Sequence, residues 1–225
     1  MMPSGMVSAI RSQLEEQRRL RLAPAAHTAE PWMIHALAPD FELEDVWALP
    51  TPGGPDELGR LVSLFAGSEL HGGSSRASRA LFAIRFKLGE LLGWDNEPAE
   101  GGDPPPSLRD RLGPELRDAP TGPVSKGFPF TPLYLLQREY AAEIVNRTVH
   151  AVAHLGWVPD GDGGYRGQLA VLVKPNGALG RAYMAAIKPF RYLIVYPAMI
   201  RQIGSAWERR STESVRPSAR LTRDG

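Results

Sequence analysis

Two histidines, His150 and His154, stand four residues apart in a chain that has five histidines and no cysteine. On a helix that spacing would aim both rings at one metal ion. The residues around them alternate instead. Val149, Ala151, Ala153, Leu155 and Trp157 share one parity, and Thr148, His150, Val152 and His154 share the other. Period two is the mark of a strand. Four residues of strand span about 13 Å, too far for two ligands of one ion. The pair reads as two sheet-face histidines, either of which could act alone as an acid or base. No intrinsic metal and no cofactor is expected. The lack of cysteine removes disulfides, thiolate nucleophiles and cysteine-held zinc.

Glu139 and Glu143 are also four apart. Paired carboxylates do acid–base work when one is desolvated, but here they read as exposed glutamates at the end of a sheet. Gly177-Ala178-Leu179-Gly180 follows Lys174-Pro175-Asn176. Without a GxGxxG or GxxxxGK[ST] pattern it reads as a turn into a tightly packed helix rather than a phosphate cradle. No GxSxG elbow is present. Asp45 is the one acid in an otherwise apolar row of Phe41, Leu43, Trp47 and Leu49. It reads as a strand-edge carboxylate, in water or paired with an arginine, or else as a polar anchor in a pocket. Arg85, between two apolar stripes of a helix, is expected to pair with Asp45 or Glu143.

The aromatic residues carry more information. Trp47, Tyr134, Tyr140, Trp157, Tyr183 and Phe190 all fall on elements expected to pack around one sheet face. Ala151 and Ala153 are small residues in mid-strand, flanked by Leu155, Leu169 and Val171, with Ile187 on the helix above. Such a set either fills a core or lines an apolar cavity.

These residues need a scaffold. A charged helix over 1–22 ends at the breaker Ala23-Pro24-Ala25-Ala26, and this arm reads as loosely held. Phe41–Leu49 is a strand, followed after Pro50 by a turn and a short helix to about Ala66. Ala77–Leu91 has helical spacing with apolar residues on two sides. Residues 95–126 are rich in Gly, Pro, Asp and Glu and read as an insertion or a lid. Strands follow at Phe128–Gln137 and Arg147–Trp157, with Glu139–Asn146 ambiguous. Asp160–Gly164 is a hairpin turn, and the return strand starts at Tyr165. A helix then runs from about Ala178 to Trp207, interrupted near Pro189 and Pro197. The organisation expected is a partly helical arm (1–39), a single domain (40–207) with an insertion at about 95–127, and a disordered tail (208–225).

With 43% hydrophobic and 23% charged residues in 225, the chain is of the globular class. A net charge of +1 implies no bulk attraction to nucleic acid. Ala182–Ile200 carries Lys188, Arg191 and two prolines, so no membrane span is read there. The N-terminus has no signal-peptide pattern, and a cytoplasmic location is expected.

Three segments carry a resemblance. They are Leu81–Gly89, Asn146–His150, and Gln168–Gly180 continued by Tyr183-Met184 and Ile187–Arg191. They resemble a branch of the START-like and Bet v 1-like (SRPBCC) superfamily, the uncharacterised bacterial domain-of-unknown-function family 2867. The resemblance implies an α+β helix-grip fold, in which a curved antiparallel sheet wraps around a long C-terminal helix. It also implies a deep apolar cavity between them. The function expected is binding of an apolar, aromatic or lipid-like small molecule. The alternatives are a cofactor-free cyclase or dehydratase using the same cavity, and an interaction module whose cavity is filled. The candidate lining is Trp47, Tyr134, Tyr140, Ala151, Ala153, Leu155, Trp157, Leu169, Val171, Tyr183, Ile187 and Phe190.

Overall fold

The computed structural model describes residues 18–67, 106–124, 130–146 and 148–214, together with positions 12 and 15. The expected helix Ala77–Leu91 and its Arg85 lie outside the described residues. Two short helices, α1 (Ala25–Thr28) and α2 (Met33–Leu37), precede strand β1 (Glu42–Ala48) and helix α3 (Leu58–Ala66). A 3-10 turn (Leu108–Arg111) and a one-turn helix α4 (Pro114–Arg117) lead to β2 (Thr131–Leu135), β3 (Glu139–Val145), β4 (Val149–Pro159) and β5 (Tyr165–Pro175). Helix α5 (Gly177–Phe190), a π turn (Arg191–Val195) and helix α6 (Tyr196–Ser214) follow. The five strands form one open antiparallel sheet in the order β1-β5-β4-β3-β2. The architecture is α+β.

The centre of the sheet follows from period two. β4 and β5 pair without a break from Val149 opposite Pro175 to Pro159 opposite Tyr165. Their turn is closed by Asp160, whose carboxylate accepts from the backbone N–H groups of Asp162 (2.8 Å) and Gly164 (3.0 Å). Gly161 and Gly163 hold φ of 92° and 88°, a region glycine enters without a Cβ penalty. Val149, Ala151, Leu155, Trp157, Leu169 and Val173 are buried on the face covered by α5 and α6. Val152, Ala170 and Leu172 are buried on the other face. His150 and His154 join them there, against Phe41 and Trp32.

β1 departs from simple parity. Its pairing with β5 slips between Leu43 and Asp45. Such a bulge puts an extra residue on one strand and reverses the faces beyond it. Phe41 and Leu43 therefore join the core on the far side, while Asp45, Trp47 and Leu49 turn toward α6. The five do not share one face.

Three boundaries also differ from the sequence reading. The segment before β1 is tied into the fold: the Leu22 N–H donates to the Val46 carbonyl (2.9 Å), and His27, Trp32, Ile34 and Leu37 are buried. Leu108, Leu112 and Leu116, from the expected insertion, are buried in the same second core. Both segments cover the sheet face that α5 and α6 leave open. α6 continues to Ser214, past the expected boundary at 207, and Arg60 reaches it through the Trp207 carbonyl (2.8 Å) and the Ser211 hydroxyl (2.6 Å).

Gly180 explains how closely α5 lies on the sheet. A Cβ built there would overlap the Thr148 carbonyl oxygen and press on the Pro175 backbone. Backbone cannot rotate away as a side chain can. Gly180→Ala is expected to cost about 3 kcal/mol or more. Urea unfolding of the variant measures it, and a loss below about 1 kcal/mol would refute the close contact.

Candidate functional site

Pro197 has no N–H to donate, and the Pro189 ring crowds the turn before it. Between the two prolines the helix widens into the π turn Arg191–Val195. In π geometry residues five apart stack on one face. Arg191 and Tyr196 are five apart, and both reach Asp45 on β1. The Asp45 carboxylate accepts from the Arg191 guanidinium, from the Tyr192 hydroxyl and from the Tyr196 hydroxyl (2.6 Å). Arg191 Nη2 also donates to Tyr196 Oη at 3.2 Å, and Nη1 lies 3.7 Å from Glu44. The Asp45 side chain is fully buried. Burial pulls the Arg191 pKa down, but Tyr196, Asp45 and Glu44 outweigh it and hold the guanidinium charged. Burial chiefly pushes the Tyr196 hydroxyl far above its ordinary value.

Beside this cluster lies a cavity of about 230 Å³. Its floor is Tyr140 and Ala142 of β3, Ala153 and Leu155 of β4, and Leu169 and Val171 of β5. Its roof is Val195, Tyr196 and Met199. Phe65 and Ala66 at the end of α3, with Pro123 and Phe130, form the sides. Among the described residues Arg191 is its one charged wall residue.

The structure brings five of the twelve candidate lining residues to this cavity: Tyr140, Ala153, Leu155, Leu169 and Val171. Trp47 and Trp157 stand behind it in the same core, Trp47 against Tyr196 (4.8 Å between ring centroids) and Trp157 against Trp207 (5.7 Å). Ala151, Tyr183 and Ile187 belong to a neighbouring cluster under α5. Tyr134 is on the opposite face, because β2 slips by a bulge between Pro132 and Tyr134. The Phe190 side chain is outside the described residues. Sequence reasoning missed Arg191, Met199, Phe65 and Phe130. Asp45 was the available signal, a lone acid in an apolar row that needs a buried cation.

The opposite face carries a second polar cluster. His35 Nε2 lies 3.1 Å from His27 Nδ1, His27 Nε2 lies 3.1 Å from His154 Nδ1, and His154 Nε2 lies 3.0 Å from Glu139 Oε2. With Glu139 ionised, its carboxylate accepts only, so His154 donates from Nε2. Its Nδ1 then accepts from His27, whose Nδ1 accepts from His35. One assignment of protons thus satisfies the whole chain with every ring neutral. Glu139 also accepts from the Met33 N–H (2.9 Å) and the Tyr134 hydroxyl (3.3 Å). Burial, then His154 and His35, lower the His27 pKa to about 3. Burial also lowers His154, against the pull of Glu139. The rings form a file and do not converge. Among the described residues no group of His, Asp and Glu is arranged to hold a metal ion.

Further along the same face Glu143 accepts from His150 (2.7 Å), the Ser107 hydroxyl and the Leu108 N–H (2.9 Å). Burial raises its pKa, but these three donors outweigh burial and hold it below the ordinary value. Glu139 and Glu143 are each 4% exposed, so neither is the solvent-facing carboxylate that its sequence position suggested. Asp45 and Glu143, the two acids expected to partner Arg85, meet Arg191 and His150, and Arg85 itself lies outside the described residues.

Over residues 37–198 the sequence matches a family described as Protein of unknown function (DUF2867). The chain belongs to the DUF2867 family. The match spans the whole sheet, Asp45 and the π turn, and thus the polar cluster and most of the cavity wall. His27 and His35 precede the DUF2867 match, so the histidine file joins residues inside it to residues ahead of it. No curated protein and no solved structure matches the chain. Among the described residues no helix is long and apolar enough to cross a membrane.

Proposed function

We propose that this DUF2867 chain binds an apolar small molecule between its sheet and its C-terminal helix. The observation that carries this reading is the cavity of about 230 Å³ over Ala142 and Ala153. Protein interiors normally pack to crystal-like density, so space of this size is unusual in a filled core. An engineered apolar cavity of about 150 Å³ already admits benzene. The arrangement also fits the helix-grip layout of START-like proteins, with an open sheet closed on one face by the last helix. Fold alone does not fix function. The hydroxyls of Tyr192 and Tyr196 are committed to Asp45, which favours binding over a cyclase or dehydratase reaction.

Thermal-shift measurements with fatty acids, aromatic polyketide-like compounds and isoprenoids test this. A ligand that binds only the folded form adds about 2.7 kcal/mol at 100 times its dissociation constant. At least one compound is expected to raise Tm, and Ala153→Trp is expected to abolish the rise by occupying the space while the protein still folds. A panel without a stabiliser, together with unfolding of Ala153→Trp, would mean that the core is already full.

A further inference from the structure

Among the described residues the side chains on the cavity wall are apolar except at Tyr140, Tyr196 and Arg191. The guanidinium of Arg191 is engaged at one end only. The two N–H groups of Nη2 have two acceptors, the Asp45 carboxylate and the Tyr196 hydroxyl. Nη1 is buried and has no hydrogen-bond partner. The Glu44 carboxylate, at 3.7 Å, is too far away to accept from it. Trp32 Nε1, Trp47 Nε1, Arg166 Nε and Gln168 Oε1 are also buried without a partner, but none of these four residues lines the cavity. The head of the Arg191 side chain, and not only its stem, is at the wall. Its Cζ lies 5.8 Å from the centre of the Tyr196 ring, which roofs the cavity.

The guanidinium is planar, so the engagement of Nη2 also fixes the directions of the Nη1 protons. A buried donor without an acceptor is costly, and a guest that supplies an oxygen removes that cost. Nη1 can only donate. A guest hydroxyl would bring a proton of its own that needs an acceptor on a mostly apolar wall. A carbonyl-type oxygen has no proton to place. Scaling from benzene in an engineered cavity, about 230 Å³ suits roughly nine non-hydrogen atoms.

We propose that Arg191 Nη1 is the polar subsite of this cavity, and that it takes a largely apolar molecule of about that size through one carbonyl-type oxygen, that of a neutral carbonyl compound or of a carboxylate. The inference rests on the binding reading above and names the group by which the ligand is held.

Cumene, acetophenone and benzoate are near-isosteric and differ at this one group. Titration calorimetry of each against the full chain and two variants tests the proposal. Arg191→Lys keeps a cation for Asp45 and removes Nη1. Asp45→Leu combined with Arg191→Met removes the ion pair as a whole. Acetophenone, benzoate or both are expected to weaken about tenfold or more in each variant, the loss of a hydrogen bond to a charged group. Cumene should bind the variants as it binds the parent, which also shows that the cavity is intact. Weakening of acetophenone assigns a neutral carbonyl compound, and weakening of benzoate alone assigns a carboxylate. Variants that bind all three probes as the parent does would overturn the subsite and leave the cavity standing. The infrared C=O stretch of acetophenone bound to the parent chain reads the same contact without a variant. It is expected at lower frequency than in hexane, and a stretch at the hexane value would overturn the subsite. Absence of binding by all three probes to the parent chain would overturn the cavity reading itself.

Discussion

Replacing Asp45 by alanine is expected to destabilise the chain by about 3–5 kcal/mol. The size follows from what remains. Arg191 would keep a charge in a place where its main counter-ion is gone, and the Tyr192 and Tyr196 hydroxyls would lose their common acceptor. Removing one partner of a buried ion pair leaves an uncompensated charge, which is far worse than removing both. Asp45→Leu combined with Arg191→Met should therefore recover most of the loss. Asp45→Asn keeps the shape and part of the hydrogen bonding, and should fall in between. Urea unfolding at constant m-value reads each ΔΔG, and the double-mutant cycle isolates the coupling. An Asp45→Ala variant within about 1 kcal/mol of the parent would mean that the pair contributes little. The same variant should lose any ligand-induced rise in Tm, because Asp45 holds the π turn that roofs the cavity.

Mild acid should act on the other face. His27 and His154 are completely buried and both are lowered below the ordinary histidine pKa, His27 to about 3. In the unfolded chain they titrate near 6.5. Between the two values the unfolded state binds more protons, so stability rises with pH there. The stabilisation is complete above about pH 6.5 and is lost as the pH falls toward the folded value. The slope is about 1.4 kcal/mol per pH unit for each proton. From pH 6.5 to 5 that amounts to roughly 2 kcal/mol for His27, and His154 acts in the same direction. The groups facing this file are Glu139, Tyr134 and the partly exposed His35, with Arg138 beyond Trp32. Glu143, also lowered, adds its own loss only at more acid pH, near and below the carboxylate range. Urea midpoints from pH 5 to 8 check this. His27→Leu should be weaker at pH 7 and should have a flatter slope. A parent protein equally stable at pH 7 and pH 5 would show that the buried rings exert no such control.

Much of the sheet was legible because alternation is a local property. Residues two apart on a strand share a face whatever the strand pairs with. That parity put Ala153, Leu155, Leu169 and Val171 together toward the helix and His150 and His154 away from it, and the structure has them so. Asp160–Gly164 turned for equally local reasons, an Asx side chain and two glycines with positive φ. The helix was interrupted where Pro189 and Pro197 remove hydrogen bonds.

A further signal was readable and went unused. Glu139 and Glu143 have the same spacing as His150 and His154, and β3 pairs with β4 so that each acid lies diagonally from one histidine. Two such pairs on one face argue for burial and not for a solvated edge. What could not be read locally are the single-residue slips. A bulge in β1 sends Phe41 and Leu43 to one face and Asp45 to the other, and a bulge in β2 takes Tyr134 away from the cavity. No composition rule marks either position.

By itself the sequence determined which residues of β4 and β5 share a face, where their hairpin turns, and that one helix must cover the sheet. These depend on backbone dihedrals and on the burial of apolar rows. The tertiary structure alone decided what each buried polar group meets. Asp45 finds Arg191 across 146 residues, and His27 finds His154 across 127. A lone charge in an apolar row demands a partner but does not name one, because the partner is whichever cation the docking of distant elements brings within reach. Here that is a π turn, whose extra residue aligns Arg191 with Tyr196 over the same carboxylate.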